Sequence, residues 1–275
     1  MRETLEQEVD ILYHYCSSST FLSIVRNKKI WLTNLTLSND RMEGLWAVKM
    51  FLDLFKNDDR NASFAAKTIL EGEIRQRIAL GTCFSSKGDL LSQWRGYAEG
   101  GRGVCIGFKK EALDRLELKS KSGEGSSTLR KINYCSFLPS EMEESIYAEF
   151  DDQIEQGRKC IGDNVSFSKD YSNDGHDRVT ALINNLFTLK NPAFQEENEW
   201  RLLLVDYPSS IENIGFRESN SLLSPYVEVP FDADLISTIC LGPLHPTPPS
   251  DIERLLKVYG IDARVKRSSA SYVVR

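Results

Sequence analysis

The stretch QEENEWRLLLVDY, Gln195 to Tyr207, predicts a strand with a charged opening and an apolar continuation. If this stretch is extended, Glu197 and Glu199 point to one face and Trp200 points to the other. Arg201 returns to the glutamate face, and the Leu-Leu-Leu-Val run after it is typical of a strand buried on both faces. Because charged side chains are rarely buried without a partner, this opening predicts either an internal salt bridge between Glu199 and an arginine or a functional site.

Around this strand, strand-like and helix-like segments are mixed without a regular βαβ alternation, which predicts an α+β fold. ILYHYC, Ile11 to Cys16, has the apolar and aromatic composition of a first strand, and the serines after it can cap a short helix. SDIE, from Ser250, has the pattern of a capping box at the start of a late helix. We expect a single domain over residues 1–275 with a helical insertion at about 139–190.

The composition of the chain is that of a globular protein and limits its partners. Its 275 residues are 41% hydrophobic and 27% charged, and its net charge is -6 with no long basic tract. General nucleic-acid binding depends on phosphate contacts from basic residues, so nucleic acid is an unfavoured partner, although summed charge leaves a local basic groove open. The sequence has no signal-peptide pattern and no 18-residue apolar run, so we expect no membrane association.

The cysteines and histidines predict a reduced, cytoplasmic protein without a metal site. The six cysteines form no C-x-x-C pair and mostly lie in apolar strand-like runs, where buried thiols are expected. The three histidines, His14, His176 and His245, are far apart in the sequence and lack the spacing of metal ligands, so no metal is expected.

Four further polar or aromatic blocks accompany the charged strand, and each also has a structural explanation. His14 lies between two tyrosines on the first predicted strand, where a lone histidine is usually a core residue. Asn39 and Asp40 precede a predicted helix that contains Glu43, and Asn-Asp at such a position is a routine N-cap. Lys190 ends another predicted helix, where a lysine compensates the helix dipole.

The fourth block combines aromatic and basic residues. Trp94 and Tyr97 lie three residues apart on one predicted helical face, with Arg95 between them and Arg102 in the glycine-rich turn that follows. Packing in the core is the usual role of such aromatic residues. The same residue types also stack a planar ring and hold a phosphate, so this block is a candidate ligand site.

The blocks occur in an order that resembles a bacterial family of unknown function. The pieces NDRME, QWRGYAEGGRGVCIGF, EENEWRLLL and ISTICLGP follow one another between about Leu12 and Tyr272. In this order they resemble the domain-of-unknown-function 2971 family, whose name implies no reaction.

The opening of the chain carries a second, more distant resemblance. YHYCSSSTFLSIVRNKKIWLTN is similar to the start of the ADP-ribosyltransferase superfamily, in which a strand bearing a histidine precedes a short helix and a second strand. The resemblance implies the mixed, mostly antiparallel sheet of that superfamily and an NAD-consuming enzyme of the toxin or phage-defence type. It also implies that His14, Tyr97 and Glu199 take the catalytic places.

The implied chemistry breaks the bond between nicotinamide and ribose, which builds positive charge on the sugar. Glu199 would stabilise that charge and His14 would hydrogen-bond the second ribose, without a metal. Trp94 or Tyr97 would stack the ring, and Glu197 would orient an acceptor that the sequence does not identify. The arginines available for the pyrophosphate are Arg95, Arg102 and Arg201. Further substrate contacts are expected from Asn39, Asp40, Glu43 and Lys190.

Two other function classes stay open. A metal-assisted phosphodiesterase or nuclease would hold Mg²⁺ with Asp40, Glu43, Glu197 and Glu199, although the sequence has no standard nuclease motif. A non-catalytic binding or regulatory module would use the same charged residues as a buried salt-bridge network.

Overall fold

The structure of the chain, a computed structural model, describes residues 9–37, 71–118, 127–145, 182–219 and 221–271, together with Trp46, Lys49, Met50 and Asp53. These residues form an α+β fold around a ten-stranded, mostly antiparallel sheet, so the predicted fold class is confirmed. Of the helical insertion expected at about 139–190, the two ends are described, and residues 140–145 and 182–186 are helical.

The strands are β1 (Ile11–Cys16), β2 (Lys29–Asn34), β3 (Ile78–Ser85), β4 (Val104–Lys109), β5 (Thr128–Lys131), β6 (Asn133–Tyr134), β7 (Leu189–Lys190), β8 (Glu199–Asp206), β9 (Gly215–Ser219), β10 (Leu222–Pro230), β11 (Ile236–Leu241) and β12 (Arg264–Arg267). The main sheet has the order β12-β11-β4-β1-β3-β2-β10-β9, and β8 and β5 branch from β3. Within it, β11 and β12 are parallel, and the other described pairs are antiparallel. β6 and β7 form a separate parallel pair.

The helices with described bounds are α1 (Ser18–Asn27), α2 (Leu91–Tyr97), α3 (Lys110–Asp114) and α4 (Pro249–Val258). α1 begins as predicted, because the Ser17 side chain accepts a hydrogen bond from the backbone nitrogen of Thr20 at 3.1 Å. The capping box predicted at Ser250 is wrong. α4 begins at Pro249, two residues earlier than an N-cap at Ser250 implies, and its N-cap Pro248 has no side chain that can accept a hydrogen bond.

Apolar layers cover both faces of the main sheet. On one face, α1, α3 and α4 contribute to the larger core through Phe21, Leu113 and Ile252 among others. On the other face, α2 packs through Trp94 against Tyr15 of β1. Residues alternate along a strand between these faces, so the sheet carries different side chains towards α1 and towards α2.

Strand β3 has two partners along one edge, and this creates a notch in the sheet. β8 pairs with the whole of β3 along the other edge. On the shared edge, β2 pairs with Leu80 and Gly81, while β1 pairs with Ser85. In the described strand pairings, residues 82–84 therefore have no strand partner on this edge, and β1 and β2 diverge beside them.

Candidate functional site

His14 lies on β1 at the notch. Its Nδ1 is 2.9 Å from the carbonyl oxygen of Cys83, so the imidazole occupies part of the edge that no strand covers. Because a carbonyl oxygen can only accept, Nδ1 carries the proton. Burial lowers the pKa of His14, and the hydrogen bond to Cys83 opposes this only in part. The ring is therefore neutral at pH 7, and its Nε2 is left as a hydrogen-bond acceptor.

A pocket of about 550 Å³ opens at the notch. Known small-molecule pockets span roughly 300–1,000 Å³, so this volume suits an organic ligand. The described residues that line the pocket are His14, Tyr15, Cys16, Ser17, Ser19, Thr20, Ser23, Ile24, Lys29, Ile30, Trp31, Thr33, Thr82, Tyr97 and Arg217. The pocket thus brings together His14 and Tyr97, two of the three residues predicted as catalytic, and Glu199 is not among its lining residues.

The two aromatic residues of α2 have different surroundings. Trp94 is fully buried, its ring packs edge-on against Tyr15 at 4.8 Å between centroids, and its Nε1 donates to Asp89 at 2.7 Å. Trp94 is therefore a core residue, and the predicted stacking contact with a ligand is corrected to a packing role. Tyr97 is 47% exposed and lines the pocket, so it is the aromatic residue of α2 that a ligand can reach.

Four charged residues form what we call the ion cluster: Lys190, Glu197, Glu199 and Arg201. Lys190 Nζ lies 2.6 Å from Glu197 Oε2 and 2.8 Å from Glu199 Oε2. Arg201 donates to both carboxylate oxygens of Glu199, through Nε at 2.6 Å and through Nη2 at 3.1 Å. Its Nη1 donates to the carbonyl oxygen of Phe187 at 2.9 Å. The cluster satisfies buried charge with paired, geometrically good hydrogen bonds.

Electrostatics inside the ion cluster favour the charged forms. Burial on its own would raise the pKa of Glu199, but Arg201 and then Lys190 lower it to about 2. Burial likewise opposes the charge on Lys190, and the two glutamates reverse this, so the pKa of Lys190 is raised. Glu199 is 4% exposed and Arg201 is 1% exposed, which makes their pairing the internal salt bridge that the sequence offered as an alternative.

The two glutamates reach Lys190 by a different backbone route from the one predicted. Residues 192–197 form a 3-10 helix, Asn198 adopts a left-handed conformation with φ of 45°, and β8 begins only at Glu199. Ser85 fixes this turn, since its Oγ donates to the carbonyl oxygen of Glu197 at 2.6 Å. The prediction that Glu197 and Glu199 share one face of a single strand is therefore wrong, because only Glu199 lies on β8, although both do contact one lysine.

Tyr97 joins the pocket to the ion cluster. Its hydroxyl donates to Glu197 Oε1 at 3.3 Å, while the ring lines the pocket. Burial and the negative charge of Glu197 raise the pKa of Tyr97, so the phenol stays protonated at neutral pH. Glu197 is thus the cluster carboxylate that is directly bonded to a pocket residue.

The remaining predicted site residues that the structure describes are not among the residues lining the pocket. Arg201 is committed to Glu199 and Phe187, so a pyrophosphate contact at Arg201 would have to break buried bonds. Arg95 on α2 and Arg102 after it are exposed, and neither is among the residues that line the pocket. Asn39, Asp40 and Glu43 lie outside the described residues.

The pocket residues that the sequence did not predict include Lys29, Trp31 and Arg217. KIWLTN alternates core and non-core positions, with Ile30 and Leu32 buried, so a tryptophan at the non-core position between them was the available signal. Trp31 stacks on Tyr226 at 4.3 Å between centroids. Arg217 lies on the edge strand β9 in a sequence with no feature that marks it.

In the part of the chain that the structure describes, no group of three or more His, Cys, Asp or Glu side chains is arranged to hold a metal ion. The carboxylates of the ion cluster instead share the ammonium group of Lys190.

Comparison with known proteins gives one family match. Residues 93–202 match the family described as "Protein of unknown function (DUF2971)", and this supports the resemblance drawn from the sequence blocks. No curated protein and no solved structure matched the chain. Among the described residues, no helix is long and apolar enough to cross a membrane.

Proposed function

We propose that this protein consumes NAD through an ADP-ribosyltransferase-like reaction at the notch between β1 and β2. The observation that carries the proposal is the pocket that contains both the neutral imidazole of His14 and the ring of Tyr97. The reaction breaks the bond between C1′ of ribose and the nicotinamide nitrogen, and the electron pair leaves with nicotinamide. A nucleophilic atom of the acceptor forms the new bond to C1′ and loses its proton. The toxin or phage-defence setting implied by the resemblance and the cytoplasmic location predicted from the cysteines are part of this proposal.

His14 would recognise the ribose. Its Nδ1 proton is held by the Cys83 carbonyl, so Nε2 can accept a hydrogen bond from a ribose hydroxyl. Tyr97 would stack the nicotinamide ring with its exposed face. Both roles use groups that already line the pocket.

Glu197, and not Glu199, would stabilise the positive charge that develops on the sugar. Glu199 is saturated by two cations in a buried position, whereas Glu197 is bonded to the pocket residue Tyr97. A carboxylate fixed near the developing charge lowers the barrier because it needs no reorganisation during the reaction. Glu197 would then accept the proton that the acceptor loses.

The proposal is tested by nicotinamide release from NAD with purified protein. We expect Glu197→Gln to lower turnover by about 100-fold or more, in the range seen when one electrostatic contact to a transition state is lost. His14→Ala should also lower turnover. Glu253→Gln, at an exposed position on α4, is the matched control and should keep it. Turnover should survive a chelator, whereas the alternative metal-assisted phosphodiesterase would lose activity. Unchanged NAD consumption in Glu197→Gln would overturn this assignment of the carboxylate.

A non-catalytic binding module is the second candidate, and the ion cluster favours it. The cluster accounts for the charged strand opening as a stabilising network, without any role in chemistry. In that case the wild-type protein would bind a nucleotide at the pocket and release no nicotinamide.

A further inference from the structure

One end of the pocket combines cations with an aromatic surface. The non-core faces of β2, β10 and β9 form this end. Trp31 on β2 lies opposite Glu228 on β10, and Arg217 on β9 lies opposite Ser224 on β10, so Trp31 and Arg217 are on the same face of the sheet. Tyr226 lies between Trp31 and Gly215, and a Cβ at Gly215 would come within 2.9 Å of the Tyr226 ring. Glycine at this position therefore makes room for the aromatic stack that borders the pocket.

The charge of the lining is positive although the chain is acidic. Lys29 and Arg217 both line the pocket, and its described lining residues include no aspartate or glutamate. Lys29 has a carboxylate partner outside the lining, since its Nζ lies 2.5 Å from Glu228 Oε2. The chain as a whole has a net charge of -6, so a pocket with this lining is a local exception. Because Glu228 compensates the charge of Lys29, the attraction for an anionic ligand comes mainly from Arg217.

Arg217 has a hydrogen-bond donor that the protein leaves unused. Within the described part of the chain, its Nε is buried and has no hydrogen-bond partner. A buried donor without a partner is unfavourable, and a ligand oxygen would remove that cost. The guanidinium fork matches phosphate oxygens in geometry and charge. Ser19, Thr20 and Ser23 on α1 line the same pocket, and a serine or threonine hydroxyl can donate to a ligand oxygen.

We propose that Arg217 and Lys29 form a phosphate subsite, so that the pocket takes a nucleotide by its phosphates at the β9 end and by its sugar at His14. The inference rests on the pocket of the proposed function and deepens it, because it names the part of the substrate that Arg217 holds. Arg217, which lines the pocket, thus takes the pyrophosphate contact that the sequence analysis gave to Arg95, Arg102 or Arg201. Phosphate binding at Arg217 does not require turnover, so the two proposals can fail separately.

The test is calorimetric titration of the wild-type protein with ADP, AMP, adenosine and inorganic pyrophosphate. One charge-assisted hydrogen bond corresponds to a factor of about 10 to 100 in affinity, so ADP should bind at least about tenfold more tightly than adenosine. Arg217→Met should remove most of that difference and leave adenosine binding unchanged. Arg254→Met, at an exposed arginine on α4, is the matched control and should change neither affinity.

Several outcomes separate the proposals. Equal affinity for ADP and adenosine, no binding of either, or unchanged ADP affinity in Arg217→Met would each overturn the phosphate subsite. Binding of pyrophosphate as tight as ADP would also overturn the nucleotide orientation, because the sugar and ring would then contribute nothing. ADP binding that depends on Arg217, without any nicotinamide release from NAD, would overturn the proposed reaction alone.

A folding control keeps the result interpretable. Arg217 lies on an edge strand, so the melting temperature of Arg217→Met is measured first. If that variant does not fold, Arg217→Lys replaces it, since lysine keeps the charge and loses the planar fork. We then expect ADP affinity to fall by about threefold to tenfold, within the range for a weakened charged hydrogen bond. No loss of affinity in a folded Arg217→Lys would contradict the subsite.

Discussion

The pocket and the ion cluster both contact Tyr97, and they differ in whether their buried charged side chains have hydrogen-bond partners. In the ion cluster, both carboxylate oxygens of Glu199 are bonded to cations, and Arg201 donates through all three of its nitrogens. In the pocket, by contrast, the buried Nε of Arg217 has no partner among the described residues. Groups that the fold has already satisfied stabilise it, whereas unsatisfied groups beside a cavity are available to a ligand.

The comparison predicts its largest effect at Glu199. Glu199→Gln leaves Lys190 and Arg201 buried with reduced compensation, which should destabilise the protein by about 3–5 kcal/mol. The melting temperature should fall by roughly 10 °C, as scaled from typical unfolding entropies. Thermal and urea unfolding measure the change. Glu197→Gln is the matched control and should cost clearly less, because Glu197 is paired with one cation and is nearer the surface.

Equal destabilisation by the two substitutions would remove the contrast between a structural and a pocket-linked glutamate. Glu199→Gln with an unchanged melting temperature and no nicotinamide release would be more damaging, because it would return the catalytic role to Glu199.

A second prediction separates the two regions by pH. The pKa of Glu199 is lowered from 4.5 to about 2, so the unfolded chain binds the proton more readily and stability falls as pH drops through this window. The loss amounts to about 3 kcal/mol at most. The pKa of His14 is lowered from 6.5, so the unfolded chain also binds this proton more readily than the folded protein. The stability that neutral His14 contributes is therefore lost as well, and this loss begins as the pH falls below 6.5.

Measuring the free energy of unfolding against pH in single variants shows which residue causes the loss of stability in each pH range. Glu199→Gln should flatten the slope below pH 4.5 and leave the slope just below pH 6.5 as in the wild type. His14→Gln should do the reverse. Slopes that respond to neither substitution would show that other groups govern acid unfolding.

The smallest expected effect is at the contact that joins the two regions. Tyr97→Phe removes the hydroxyl that donates to Glu197 at 3.3 Å and keeps the ring that lines the pocket. Because Tyr97 is half exposed and the bond is long, we expect a loss of about 0.5–1 kcal/mol. A double-mutant cycle with Glu197→Gln measures the coupling directly. A coupling energy of zero would separate the pocket from the ion cluster energetically.

Local patterns predicted most of the described elements around the site. The first strand is Ile11–Cys16 as expected, and α1 buries Phe21, Ile24 and Val25, which share one helical face. These features depend on side-chain period and capping, which are properties of adjacent residues. The same reasoning failed at residues 192–197, where Asn191 caps a 3-10 helix and delays the strand to Glu199.

The site itself depends on long-range pairing, which no local pattern reports. The notch exists because β1 and β2 share one edge of β3, and that arrangement joins residues far apart in the chain. His14 was identified from a resemblance, and Tyr97 from its spacing to Trp94. Trp94 itself proved to be core, since helical spacing alone does not distinguish which of two aromatic residues is buried. Arg217 reaches the pocket from an edge strand two positions away from β2 in the sheet.

Asp89 binds residues that are made much later during synthesis. Its carboxylate accepts hydrogen bonds from the hydroxyls of Ser268 and Ser269 and from the ring nitrogen of Trp94, and Ser268 is 179 positions further along the chain. A nascent chain still on the ribosome at residue 260 would contain β1, β3 and α2 but not this clamp. The contact through which Asp89 joins Trp94 of this helix to Ser268 and Ser269 therefore forms only after those two serines have been synthesised.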